Sequence, residues 1–78
     1  MPPSSKPPAR LGEAIKQLRE KRGMTQEGLA HEAGSTAATI GAIERGVTNP
    51  SWGTVEAIAA ALGVSVTEVA KVAERLAK

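Results

Sequence analysis

The side chains that ordinarily carry catalysis or bind metals are nearly missing from this chain of 78 residues. There is one histidine, His31, no cysteine and no aspartate, and all eight acidic residues are glutamates. A zinc site built on Cys or several His, a disulfide framework, a thiol nucleophile and a Ser/His/Asp triad are therefore excluded within a single chain. What remains is hydrogen bonding and charge. Hydroxyls stand at Ser35, Thr36, Thr39, Ser51 and Thr54, amides at Gln26 and Asn49, and ten Lys or Arg leave a net charge of +2. Such groups recognise a partner rather than transform one. No enzyme activity, metal or cofactor is expected.

Those groups have to be positioned by one small domain. A chain of this size buries only about 60% of its unfolded surface, so well-formed helices or self-association must make up the rest. Trp52 is the only aromatic residue, and 14 alanines indicate a thin, closely packed core. Four of the five prolines fall in the first eight residues. They lack amide donors and bias their predecessors away from helix, so residues 1–8 read as a flexible arm and 9–78 as the folded domain. Glycines at 23, 34, 46 and 63 then close successive helical patterns, as expected of a residue that takes positive φ freely.

Between those stops five short helices are expected. The first, roughly 9–22, aligns Leu11, Ile15 and Leu18 and carries Lys16, Arg19, Lys21 and Arg22 on its other face. The second runs from a Thr25 cap to Ala33 with Leu29 and Ala30 inward; the third follows Gly34, with Ser35 as cap and Ile40 and Ile43 as its apolar pair. The fourth begins near Ser51 and presents Val55, Ile58, Ala59 and Leu62; the fifth opens on Ser65 and Glu68, a capping-box pair. No useful segment alternates with period two, so the fold class is all-α. No apolar run approaches the roughly 18 residues of a membrane span, and the N-terminus lacks a signal-peptide core. A cytoplasmic location without membrane contact is the expectation.

Residues 25–46 have the layout of a helix-turn-helix, with Ala30 small where two helices would cross and one side of the later helix left free for a major groove. The chain resembles the Cro/phage-repressor-type, or Xre, helix-turn-helix family. The resemblance is carried by Leu11, Ile15, Leu18, Arg19, Gly23, Met24-Thr-Gln26, Leu29-Ala30, Ala33-Gly34-Ser35, Ile40, Ile43-Glu-Arg-Gly46, Asn49-Pro-Ser51, Ile58-Ala59 and Leu62-Gly-Val-Ser65. Thr25-Gln26 together with Ile43-Glu-Arg-Gly46 and Asn49-Pro-Ser51 is its specific part. It implies a five-helix domain that binds double-stranded operator DNA, usually as a two-fold dimer.

The same resemblance assigns Gln26 a phosphate contact, consistent with its place at a helix start where backbone donors and the helix dipole favour anions. It makes Arg19 and Glu44 a structural ion pair tying the first helix to the third. By position, Ser35, Thr36, Ala37, Ala38, Thr39 and Ala42 form the base-reading face of helix 35–44. The long Gln, Asn, Arg or Lys side chains common there in better-known members are missing, so direct readout is thin. Methyl contacts, water and DNA shape would then carry selectivity. Gly41 allows close approach of the backbone. Arg45, Asn49, Ser51 and Thr54 flank the fourth helix and would ring a phosphate.

Other residues leave two readings open. Trp52 either caps the core or lies against the sugar-phosphate wall, with core packing preferred. Lys6 and Arg10 in the arm either follow a groove or are inert, with the inert reading preferred. His31 reads as an exposed helix residue. The stripe of Val66, Val69, Val72, Ala73 and Leu76 either folds back to finish the core or pairs with a two-fold mate, which makes Val66, Val69, Val72 and Leu76 the dimer candidates. The leading function is a sequence-specific, DNA-binding transcriptional regulator acting as a homodimer. The compact length also resembles restriction–modification controllers and antitoxins. The alternative is an antitoxin or protein-interaction module that keeps the fold with weak or no DNA binding and takes a protein partner.

Overall fold

The computed structural model describes residues 10–77, which form five helices and no strand. They are α1 (Leu11–Lys21), α2 (Gln26–Ala33), α3 (Ala37–Glu44), α4 (Trp52–Leu62) and α5 (Val66–Ala77). Reading of the arm at 1–8, Lys6 included, lies outside the described residues. None of the described helices is long and apolar enough to cross a membrane.

The starts of α2 to α5 are set by hydroxyl caps. Thr25, Thr36, Ser51 and Ser65 each accept from the amide three residues on, at 2.9 to 3.2 Å. One cap differs from the expected one. The amide of Ser35 is bound to the Ala30 carbonyl at 2.8 Å, closing the last turn of α2. Ser35 is thereby held in the turn, and the extended residue that starts α3 is Thr36. The four expected glycine stops all have positive φ. At Gly34 that conformation makes the sharp reversal between α2 and α3.

The core is aliphatic and small. Ala14, Ile15, Leu29, Ile40, Ile58, Leu62 and Val69 are almost fully buried, whereas Leu18 is only partly so. Burying side chains of this kind contributes about 1.5–3 kcal/mol each for the larger ones, before ordering entropy is set against it. α1 packs on α5 and α3, and α2 on α3 and α4. The contact of α1 with α3 is backbone-close: a Cβ added at Gly12 would run into the Ile43 carbonyl oxygen and lie 2.7 Å from that of Glu44.

α5 folds back. Val69 and Val72 are 1% and 6% exposed in the core of their own chain, as the fold-back reading of the stripe has it. Val66 and Leu76 are half-buried. Trp52 is a correction, being 65% exposed rather than packed in the core. It is the first residue of α4, a turn beyond Val55, where the inward stripe of that helix begins. His31 is exposed, as expected.

Candidate nucleic-acid interface

α3 has two unlike sides. Ile40, Gly41, Ile43 and Glu44 face inward and are buried. Thr36, Ala38 and Thr39 are exposed, Ser35, Ala37 and Ala42 half-buried, and Arg45 exposed just beyond the helix end. The outer side is nevertheless not a set of free donors. Thr36 Oγ1 accepts from the Thr39 amide at 3.1 Å and donates to Thr39 Oγ1 at 3.0 Å. Thr39 keeps its own hydroxyl proton for a partner. Around it the surface is methyl, suited to thymine methyl groups rather than bidentate base pairing.

The inner side is pinned by a polar network. Arg19 on α1 donates from Nε to Glu44 Oε2 at 2.7 Å and from Nη2 to Oε1 at 3.2 Å. Its Nη1 donates to the Met24 carbonyl at 2.8 Å, so the guanidinium also fixes the bend between α1 and α2. The two side chains are 10% and 3% exposed. Burial of such charges is tolerable because each is paired and hydrogen-bonded, and no buried side-chain N or O among the described residues is left without a partner. The hydrogen bond to Glu44 raises the Arg19 pKa above its ordinary value; burial opposes it, and the charges of Glu44 and Glu20 reinforce it. The pairing thus favours the charged guanidinium. A raised basic group loses its stabilising effect only as pH climbs through the folded pKa, here in strong alkali, so this contribution is constant at working pH.

Gln26 belongs to the same network. It is half-buried, and its Nε2 donates to Glu44 Oε1 at 3.0 Å. One amide proton remains for a phosphate. Beside it, a Cβ added at Gly41 would lie 3.0 Å from Arg45 Nη1 and 3.5 Å from Gln26 Oε1. Gly41 is buried, and the side chains of Gln26 and Arg45, far apart in sequence, both lie over it.

At the start of α4, Ser51 Oγ and Thr54 Oγ1 stand 3.0 Å apart and Ser51 caps the Thr54 amide. Asn49 and Ser51 are exposed and Thr54 half-buried. The first turn of α4 carries no acidic residue, so its N-terminal dipole is not offset locally. Sequence reasoning missed Gly12 and the part Gln26 takes in the ion pair. For Gly12 a signal existed: glycine inside an amphipathic helix costs about 1 kcal/mol against alanine, and close backbone approach is a reason to keep it.

Comparison with known proteins agrees with this architecture. Residues 10–72 match the family described as a helix-turn-helix domain. Over 59 residues the chain is 41% identical to the immunity repressor protein of Bacillus phage phi105, covering 76% of this chain and 41% of that one. It spans less than half the length of the first curated relatives it matches. Among solved structures it is similar to the restriction-modification controller protein C.AhdI from Aeromonas hydrophila, with 31% identity, a TM-score of 0.76 and coverage of 78% and 92% of the two chains. It is also similar to the clp gene regulator ClgR from Corynebacterium glutamicum, with 28% identity, a TM-score of 0.85 and coverage of 88% and 90%. With the helix-turn-helix matched over most of its length and the Arg19–Glu44 pair closed between α1 and α3, the chain belongs to the helix-turn-helix domain family, of the Cro/phage-repressor type.

Proposed function

We propose that this protein regulates transcription in the cytoplasm by binding double-stranded DNA, with α3 in the major groove and two copies reading a two-fold site. The observation that carries the reading is the division of α3: its inner side is locked to α1 and α2, and Thr36, Ala38 and Thr39 stand exposed on the other. Thr39, with the methyls of Ala37, Ala38 and Ala42, would touch base edges, Ser35 and Thr36 framing the helix start. Gln26 and Arg45 at one end, and Asn49, Ser51 and Thr54 at the start of α4, would hold phosphates. With so few base donors, sequence-dependent DNA shape would supply much of the selectivity.

Two copies follow from the geometry of such domains, which place their reading helices about 34 Å apart on successive major grooves. Of the four residues first considered for that contact, Leu76 and Val66 keep exposed surface, and the Leu76 flank of α5 is the proposed pairing edge. Sedimentation with and without a two-fold duplex measures it; a particle that stays monomeric on DNA ends this part of the reading.

The DNA reading itself is tested by NMR titration of labelled protein with a duplex at two salt concentrations. Expected are shifts at Gln26, residues 35–42 and residues 45–54, weakening as salt rises. Shifts nowhere at low salt would leave the fold standing and transfer the function to a protein partner.

A further inference from the structure

The outer side of α3 carries no charge, since Glu44 is the only ionisable residue of the helix and it faces inward onto Arg19. Thr36, Ala38 and Thr39 stand exposed on that outer side, with Ala37 and Ala42 half-buried beside them. Each of these side chains carries a methyl group. The polar atoms among the methyls are two hydroxyls that already form a pair: Thr36 Oγ1 donates to Thr39 Oγ1 at 3.0 Å and accepts from the Thr39 amide. A hydroxyl has one proton and two lone pairs. Thr39 therefore keeps its proton and one lone pair, and can meet a donor or an acceptor.

We propose that this surface reads the C5 methyl group of pyrimidines and counts it alike on thymine and on 5-methylcytosine, so that methylation of a cytosine under α3 strengthens binding. The inference rests on the reading of α3 as the helix in the major groove, and it names what that helix recognises there.

In the major groove guanine presents the N7 and O6 acceptors, adenine N7 and the N6 amino donor, cytosine the N4 amino donor, and thymine the O4 acceptor with the C5 methyl. An alanine methyl laid on a ring nitrogen, a carbonyl or an amino group displaces its water and returns no hydrogen bond, which weakens binding. Laid on a C5 methyl, it removes apolar surface from water on both partners. Both effects select pyrimidines that carry the methyl. Thymine and 5-methylcytosine differ at ring position 4, where one accepts and the other donates. A glutamate or other long polar side chain would separate them there, and none stands exposed on this side of α3. Thr39 Oγ1, with a proton and a lone pair to offer, answers either. The surface thus sorts pyrimidines by the methyl and not by the exocyclic group.

The test begins with a randomised duplex pool enriched on the full chain. Each thymine of the enriched sequence is then replaced in turn by uracil, by cytosine paired with guanine, and by 5-methylcytosine paired with guanine, and affinity is read by fluorescence anisotropy. At positions under α3, thymine should bind about fourfold more tightly than uracil, and 5-methylcytosine about fourfold more tightly than cytosine. Ala38→Gly, which deletes an exposed methyl, should shrink both gains and leave the uracil and cytosine duplexes bound as before; a damaged fold would instead weaken all four alike. Duplexes that are bound with no difference between thymine and uracil, or none between cytosine and 5-methylcytosine, overturn the inference and leave DNA binding standing. Gains untouched by Ala38→Gly overturn it as well, since another surface then meets the methyl. A chain that binds nothing in the pool overturns both this inference and the DNA reading beneath it.

Discussion

On the inner side of α3, one carboxylate receives three donors from two side chains that α1 and α2 supply, at 2.7 to 3.2 Å and nearly out of solvent. On its outer side, a turn away, there are methyl groups and a pair of threonine hydroxyls already bonded to each other. The long polar side chains of Arg19 and Gln26 are, in this protein, directed at holding α3 in place. On the proposed reading, positioning and readout are then carried by different residues. An interface of this composition fits phosphate contacts and shape as the main sources of binding energy, with single hydrogen bonds refining the choice.

The comparison breaks most visibly at Glu44. Glu44→Ala leaves Arg19 charged and buried, and about 3–5 kcal/mol of stability should be lost in urea unfolding. The double replacement Arg19→Met with Glu44→Leu should come close to the parent instead, because neither charge is then stranded. Equal losses for the two variants would show that packing alone holds α3. Gly12→Ala should cost about 3 kcal/mol in the same measurement, since its Cβ meets backbone carbonyls of α3 that cannot swing aside.

Replacements on the proposed DNA side should behave in the opposite way, sparing the fold. Arg45→Ala should change stability by less than about 0.5 kcal/mol. Its effect should appear as a drop of about one unit in the slope of log K against log salt, uniform across DNA sequences. Smallest of all, Thr39→Ala should take about 1 kcal/mol from the preference for the best site over its variants, with the melting temperature nearly unmoved. The replacement removes the bond between the two hydroxyls but keeps the Thr39 amide that Thr36 caps, so α3 should start as before. A large stability loss at Thr39, or a sequence-dependent loss at Arg45, would mean that positioning and readout share residues after all.

Much of the fold was legible because its signals are local. Hydroxyl caps at Thr25 and Ser65 and the glycine stops act within one turn of chain, so residue type and spacing alone place them. Ser35 escaped for a local reason that sequence does not display: two adjacent hydroxyl residues both qualify as caps, and the choice falls to whichever amide the preceding turn has already taken. Within the site, the exposed character of α3 followed from its periodicity. The Arg19–Glu44 pair did not, since the partners are 25 residues apart and only the family resemblance joined them before the structure did.

By itself, then, the sequence determined the helices and the sparse polarity on the outer side of α3. These depend on side-chain type and on backbone preferences that span three or four residues. Tertiary structure decided what the amphipathic stripes are packed against. It turned Val69 and Val72 to this chain's own core, left Trp52 exposed at the start of α4, and drew Gln26 onto the Glu44 carboxylate. Those outcomes depend on which surfaces meet when α1 closes on α3 and α5, and burial at long sequence separation is a property of the assembled helices rather than of any one of them.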